Sequence, residues 1–273
     1  MTIATLERVE TSAPLAFDAP VSRTVLEVRG LSRRYGALVA VDGLSFQARE
    51  GEILGLVGPN GAGKTSTLRS IAGVLPTPAD VITVCGHDIA RDEEAAKRCL
   101  RWIPDDPQPF EALTVHEHLE FTAALYRCAD WRDQARDLLE RFELTEKRDA
   151  LGGELSRGMR QKLSMCCAWL GEPRLVLLDE PLSGLDPRGI RSAKQAIVEL
   201  AARGAAVILS SHLLELIEAL ATRLLILDQG RCVFAGTLAE ARAAFPEQQR
   251  GSLEEIFFAA TSKPSGNGGA PGA

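Results

Sequence analysis

Short apolar runs alternate with helical patterns along most of the chain. Residues 25–49 alternate apolar and polar positions between glycines, a pattern that predicts short antiparallel strands. Three continuous apolar runs follow, each bounded by turn residues, at 53–57, 175–178 and 206–209. Residues 68–75 and 189–202 have helical spacing. Because strands buried on both faces read as continuous apolar runs, the pattern predicts an α/β fold with a mostly parallel core sheet and an antiparallel β subdomain.

Residues 115–142 are helical in pattern and contain no strand signal. They predict a helical subdomain, at about 106–168, inserted into a domain that spans 25–245. The first 24 residues lack the apolar core of a signal peptide and are expected to form a disordered leader. Residues 246–273 are expected to form a short helix and a disordered tail, because the tail is rich in Gly, Pro and Ser.

The composition narrows the classes of partner. The chain has 273 residues, 45% hydrophobic and 25% charged, which is enough for one large folded domain. Its formal net charge of −6 provides no positive field for a phosphate backbone, so no nucleic acid is expected as a partner. Six cysteines form no C-x-x-C pair and are predicted to be reduced thiols. No window has the roughly 18 continuous apolar residues that a membrane span needs, so any membrane role is expected to come through a partner.

A glycine-rich motif follows the first continuous apolar run. It reads G-x-x-x-x-G-K-[ST] and is followed by a serine: Gly58, Pro59, Asn60, Gly61, Ala62, Gly63, Lys64, Thr65 and Ser66. In such a loop, backbone N–H groups surround phosphates and a helix N-terminus adds its positive end. Lys64 is predicted to contact the β- and γ-phosphates of ATP, and Thr65 to bind Mg²⁺. The strand before the motif and the helix after it favour this hypothesis over a plain glycine turn.

Two carboxylates, Asp179 and Glu180, end the second continuous apolar run. In an open α/β sheet the ligand groups lie at the carboxyl ends of the strands. We therefore predict that Asp179 holds Mg²⁺ and that Glu180 is catalytic, orienting the water that attacks the γ-phosphate or accepting its proton. An apolar strand ending in Asp-Glu is common by itself, and it is the phosphate loop upstream that favours the functional interpretation.

A third motif, Leu-Ser-Arg-Gly-Met-Arg-Gln at residues 155–161, precedes this strand. It resembles the signature loop of the ABC ATPase family, in which a serine hydroxyl and glycine N–H groups contact the γ-phosphate of a nucleotide held by the opposite subunit. The resemblance implies that Ser156 and Gly158 bind nucleotide across a dimer. Taken alone, Ser156 reads as a helix N-cap. Arg157 and Met159 stand where Gly and Gln are more typical of the family.

Further matches to the ABC family follow in its usual order. Asp186, in Ser-Gly-Leu-Asp, resembles the D-loop at the dimer seam, and His212 resembles the switch histidine that contacts the γ-phosphate. Tyr35 stands where the family stacks an aromatic ring on adenine. Asp105 stands where the family usually has Gln, so the resemblance makes it a further candidate to bind Mg²⁺. The alternative for Asp105 is a turn residue ahead of a proline.

The resemblance implies the ABC ATPase fold and an ATP hydrolase that works at the cytoplasmic face of the cell membrane, beneath an integral membrane permease. One phosphate loop and one signature per chain mean that a complete site needs a second copy or a related ATPase subunit. Residues 251–258 resemble the terminal helix of export ATPases, although a generic amphipathic cap is the alternative. A soluble ABC ATPase acting on ribosomes, nucleic acid or iron–sulfur assembly is the second hypothesis, and a P-loop kinase is the third.

Overall fold

The computed structural model describes residues 23–245 and 252–261. The expected leader therefore lies outside the described residues except for its last two positions, and so do residues 246–251 and 262–273 of the C-terminal segment. The helices and strands are β1 (Thr24–Tyr35), β2 (Leu38–Arg49), β3 (Ile53–Val57), α1 (Lys64–Ile71), β4 (Ile82–Val84), β5 (His87–Asp88), α2 (Glu93–Cys99), β6 (Leu100–Ile103), α3 (Val115–Tyr126), α4 (Trp131–Arg141), α5 (Arg157–Trp169), β7 (Leu175–Asp179), α6 (Pro187–Ala202), β8 (Ala206–Ser210), α7 (Leu214–Leu220), β9 (Arg223–Asp228), β10 (Arg231–Thr237), α8 (Leu238–Ala244) and α9 (Leu253–Thr261).

A four-stranded antiparallel sheet has the strand order β2-β1-β4-β5. The predicted antiparallel β subdomain is therefore confirmed, but β1 and β2 are long strands of 12 residues each. The glycines that suggested strand ends lie inside these strands instead. Gly30 and Gly43, with φ of 59° and 65°, fall where the register between β1 and β2 shifts. Glycine tolerates this backbone conformation, so the pairing continues past the irregularity.

A six-stranded sheet forms the core, with the order β10-β9-β3-β8-β7-β6. Its β10–β9 pair is antiparallel and its other pairs are parallel. Every residue of β3, β7 and β8 is buried, which confirms the prediction made from the continuous apolar runs. These strands end at one edge of the sheet, where Ser210 of β8 is in register with Leu56 and Asp179. The phosphate loop, the two carboxylates and the segment before His212 all start from that edge.

Three helices, α3 to α5, lie between β6 and β7 and form the inserted helical layer. The helical pattern at 115–142 folds as two helices, because Arg127 and Asp130 adopt left-handed backbone conformations, with φ of 55° and 48°, between α3 and α4. A reciprocal cap begins α3. Thr114 Oγ1 accepts a hydrogen bond from the Glu117 N–H at 3.1 Å, and the Glu117 carboxylate accepts one from the Thr114 N–H at 2.7 Å.

The helix α9 packs against α7, β9 and β10. Its residues Leu253 and Ile256 are fully buried and belong to the same apolar core as the large sheet. Of the helices in the two described ranges, none combines the length and the apolar character needed to cross a bilayer.

Candidate nucleotide-binding site

The phosphate loop joins β3 to α1, and its glycines allow it to pass very close to neighbouring backbone. Gly61 and Gly63 have φ of 83° and 101°, a region that favours glycine. A Cβ atom at Gly63 would lie 2.3 Å from the carbonyl oxygen of Ala40. One at Gly58 would lie 2.5 Å from the carbonyl oxygen of Leu227. The loop therefore holds its shape only without side chains at these points, and it leads directly into a helix N-terminus, a geometry that suits an anion.

Lys64 is the first residue of α1, and its side chain folds back over the loop. Its Nζ donates hydrogen bonds to the carbonyl oxygens of Gly58 at 2.6 Å and Pro59 at 3.2 Å. Burial lowers the pKa of Lys64, and the negative charges of Glu180 and Asp179 oppose that shift. The ammonium group thus lies against the loop and within electrostatic range of both carboxylates, where an anionic ligand would favour its charged form.

Asp179 ends β7 and is only 3% exposed. Burial raises the pKa of its carboxyl group, the hydroxyl of Thr65 opposes that shift, and the charges of Glu180 and Asp105 reinforce it. A cation would stabilise this buried carboxylate. Among the described residues, no group of three or more His, Cys, Asp or Glu side chains could hold a metal by itself. Asp179 and Thr65 instead suit Mg²⁺, which commonly uses few protein ligands and takes its other oxygens from phosphate and water.

Glu180 follows Asp179 in a left-handed backbone conformation, with φ of 50°. Its N–H donates a hydrogen bond to the carbonyl oxygen of Ser210 at 2.9 Å, which ties it to the end of β8. Its carboxylate accepts hydrogen bonds from the His212 N–H at 2.8 Å and the Ser211 hydroxyl at 3.1 Å, and His212 Nδ1 lies 2.8 Å from Glu180 Oε2. Strained non-glycine backbone of this kind concentrates at functional sites, and here it presents a carboxylate paired with an imidazole.

These groups face an open cleft of about 470 Å³. Most of the residues predicted from the sequence line it: Tyr35, Asn60, Gly61, Ala62, Gly63, Lys64, Thr65, Ser66, Asp105, Asp179, Glu180 and His212. Tyr35 is 46% exposed, and its hydroxyl lies 3.4 Å from that of Ser66. An aromatic face therefore stands beside the phosphate loop. Gly58 and Pro59 are not among the lining residues and take part through their contacts with Lys64.

Four further lining residues are not predicted by the sequence motifs: Leu38, Ala40, Arg157 and Ser183. Leu38 is 65% exposed and provides apolar surface near Tyr35. Arg157 Nη2 donates a hydrogen bond to Ser183 Oγ at 2.9 Å and lies 3.4 Å from Asp105 Oδ1. Arg157 belongs to the signature motif and Ser183 to the Ser-Gly-Leu-Asp motif, and these memberships are the sequence signals that could have found them.

Ser156, Gly158 and Asp186 do not line this cleft. Ser156 caps α5 by accepting a hydrogen bond from the N–H three residues later at 3.3 Å, and Asp186 caps α6 in the same way at 2.6 Å. A Cβ atom at Gly158 would lie 2.5 Å from the carbonyl oxygen of Gly184. The signature segment and the loop before α6 therefore pack against each other, with Ser156, Gly158 and Asp186 outside the cleft.

The glycine loop between a strand and a helix, with the acidic end of a neighbouring strand facing it, defines a P-loop nucleotide-binding domain. The family model described as ABC transporter matches residues 41–183. ABC-type transporter ATP-binding protein EcsA of Bacillus subtilis (strain 168) is 32% identical over 246 residues, which are 89% of this chain and 99% of that protein. Daunorubicin resistance ATP-binding protein DrrA3 of Streptomyces coeruleorubidus is 35% identical over 222 residues, 81% of this chain and 70% of that protein.

A solved structure, described as the ATP binding subunit of an ABC transporter, has a TM-score of 0.84 to this chain at 34% identity, and the match covers 88% of this chain and 100% of that one. The chain belongs to the ABC transporter family, as an ATP-binding subunit with a single nucleotide-binding domain. The family resemblance and the fold class predicted from the sequence are both confirmed. The relatives support neither the soluble ABC ATPase nor the P-loop kinase.

Proposed function

We propose that this chain binds ATP with Mg²⁺ in the cleft and hydrolyses it, and that the resulting conformational change drives a separate integral membrane permease. The observation that best supports hydrolysis is the convergence of Lys64, Asp179 and the Glu180–His212 pair on one cleft, although they come from different loops. A nucleotide-binding module without catalysis would need the phosphate loop but not a carboxylate held in a strained backbone conformation.

Each part of the cleft has a distinct role in binding. The Tyr35 ring stacks on adenine, while the N–H groups of residues 58–66 and the Lys64 ammonium bind the phosphates. Thr65 and Asp179 hold Mg²⁺, which neutralises phosphate charge when bound. Asp105 lines the same cleft and would add a further carboxylate charge close to a bound Mg²⁺.

Glu180 is the residue that acts on the attacking water. As the water oxygen bonds to the γ-phosphorus, the bond from that phosphorus to the bridging oxygen of ADP breaks, and Glu180 takes up the proton that the water loses. ADP and inorganic phosphate are the products. His212, whose Nδ1 lies 2.8 Å from Glu180 Oε2, keeps the carboxylate oriented and places its own exposed ring towards the γ-phosphate. Positioning of this kind supplies most of the catalysis in phosphoryl transfer.

The positions of Ser156, Gly158 and Asp186 support a dimer. They lie outside the cleft of their own chain, and they sit at or near the exposed N-terminal ends of α5 and α6. Such an end suits the γ-phosphate of a nucleotide bound by another subunit. The partner is a second copy of this chain or a related ATPase subunit, arranged so that each cleft receives the signature segment of the other.

An exposed apolar patch on the helical layer supports a membrane partner. Phe110, Phe121 and Leu125 are 57%, 47% and 58% exposed, and the first two rings are 5.6 Å apart. A patch of this kind is typical of an interaction surface. We infer that the permease contacts the helical layer at the cytoplasmic face of the membrane. The relative DrrA3 is a daunorubicin resistance protein, which favours export as the direction of transport.

The purified full-length chain, with and without Mg²⁺ and ATP, tests this proposal. We expect ATP binding in a fluorescence titration, release of inorganic phosphate, and an ATP-dependent dimer in light scattering. Glu180→Gln preserves the size of the side chain but removes its basicity. It should retain ATP binding, lower turnover by about 10²- to 10⁴-fold and accumulate the dimer. Wild-type turnover in Glu180→Gln would contradict the role of Glu180, and a wild-type chain that binds no ATP would contradict the whole proposal.

A further inference from the structure

Arg157 joins three segments of the cleft that are far apart in the sequence. Its Nη2 donates a hydrogen bond to Ser183 Oγ at 2.9 Å and lies 3.4 Å from Asp105 Oδ1. Asp105 follows β6, Arg157 begins α5, and Ser183 lies between β7 and α6. A planar guanidinium with five N–H donors suits this bridging position, because it can contact two partners in fixed directions at once.

The contact with Ser183 leads back to the carboxylate that is proposed to activate water. The Ser183 N–H donates a hydrogen bond to the carbonyl oxygen of Glu180 at 3.1 Å, so these residues form one tight turn. The aliphatic part of Arg157 covers the same turn, since a Cβ atom at Gly184 would lie 3.4 Å from Arg157 Cγ and Cδ. A displacement of Arg157 would therefore also displace the start of the turn, where Glu180 lies.

Arg157 also opposes a local excess of negative charge. The residues that line the cleft include the carboxylates of Asp105, Asp179 and Glu180, and only two side chains with a permanent positive charge, Lys64 and Arg157. Lys64 lies on the phosphate loop. Arg157 is thus the cation on the opposite side, beside the loop after β6 and the turn that carries Glu180.

The Asp105–Arg157 pair is too exposed to matter much for stability. The two side chains are 55% and 52% exposed, and ion pairs at such positions contribute little to folding. A neighbouring pair provides a comparison. Arg160 Nη2 lies 3.9 Å from Asp106 Oδ1 and connects the same two segments, but neither residue lines the cleft.

We propose that Arg157 is a positioning residue for ATP hydrolysis, which fixes the turn carrying Glu180 against the loop after β6 by binding Ser183 and Asp105 together. This inference rests on the proposed ATPase function and assigns a role to Arg157, which stands in the signature motif where the family typically has glycine. Arg157 acts through Ser183 on the orientation of Glu180, and not by contact with the nucleotide.

Four variants of the full-length chain test this inference: Arg157→Gln, Ser183→Ala, the double variant, and Asp106→Asn as the control, which removes the neighbouring ion pair without changing the signature segment. Arg157→Gln should lower kcat about tenfold, because small misplacements of catalytic groups reduce rates by such factors. The Kd for a fluorescent ATP analogue should change less than about twofold, and the melting temperature less than about 2 °C. The double variant should lose no more activity than the more impaired single variant. Asp106→Asn should retain kcat within about twofold of wild type.

The outcomes separate this inference from the proposed function. A wild-type chain that releases no phosphate would overturn both. If the wild type hydrolyses ATP, an unchanged kcat in Arg157→Gln overturns the positioning role alone. An equal loss in Asp106→Asn, or effects that multiply in the double variant, would overturn it as well. A large rise in Kd with an unchanged kcat would show that Arg157 binds the nucleotide directly, which is also incompatible with the inference.

Discussion

Gly63 is the position in the phosphate loop where one added methyl group should destabilise the domain most. Its φ of 101° is unfavourable for alanine, and the new Cβ would lie 2.3 Å from the Ala40 carbonyl oxygen, in the backbone of β2. The backbone conformation costs about 1–2 kcal/mol, and displacing β2 adds about 1–3 kcal/mol. We therefore expect Gly63→Ala to lower the free energy of unfolding by about 2–5 kcal/mol. In a domain of this size, that is a fall in melting temperature of at least about 4 °C.

Gly204 offers a matched control, because its φ of 98° is almost the same but nothing lies within 4 Å of its Cβ position. Gly204→Ala should show the backbone effect alone, about 1–2 kcal/mol. Urea denaturation followed by circular dichroism, without nucleotide, measures both variants. A fluorescence titration with an ATP analogue should show weaker binding only for Gly63→Ala. Equal destabilisation by the two substitutions would refute the argument that the close approach of the Ala40 backbone is what requires glycine at position 63.

Two further predictions concern the charges in the cleft. Lys64→Ala should weaken ATP binding about 10- to 100-fold in calorimetry, because it removes a charged hydrogen-bond donor to phosphate, and retained tight binding would contradict the assignment. Asp179→Asn should be more stable than wild type at pH 7 without nucleotide or metal, because burial raises the pKa of Asp179 and disfavours its charged form. This difference should disappear as the pH falls below about 4, where the wild-type carboxyl is protonated in both states. If the wild type were more stable than Asp179→Asn at pH 7, the argument that burial disfavours the Asp179 charge would be wrong.

The elements that could be predicted from the sequence are those whose local sequence is compatible with only one environment or backbone conformation. The strands β3, β7 and β8 are buried at every position, because their continuous apolar runs would be unfavourable in any position exposed to water. The phosphate loop is equally constrained, because its close contacts tolerate only glycine at positions such as Gly63. Asp179 and Glu180 follow directly from the end of β7, and the sheet order brings them to the same edge as that loop.

Other features depend on contacts between distant segments and leave little local signal. Leu38 and Ala40 belong to no motif, and only the packed fold brings them to the cleft. Periodicity alone also places the start of α1 too late in the sequence. The helical pattern begins at Leu68, whereas the helix begins at Lys64, because its first turn is polar and includes the buried Thr67. In this turn, the position of the backbone beside the phosphate loop outweighs the need for an apolar face.

The helix α9 has a consequence for the segment that carries His212. Leu253 and Ile256 are fully buried, and the Leu253 N–H lies 3.4 Å from Glu218 Oε2 on α7. Because α7 starts only two residues after His212, the packing of α9 on α7 supports the segment that positions the His212 imidazole. A truncation that ends the chain before Ser252 would remove α9 and thus weaken the packing that supports the His212 ring beside Glu180.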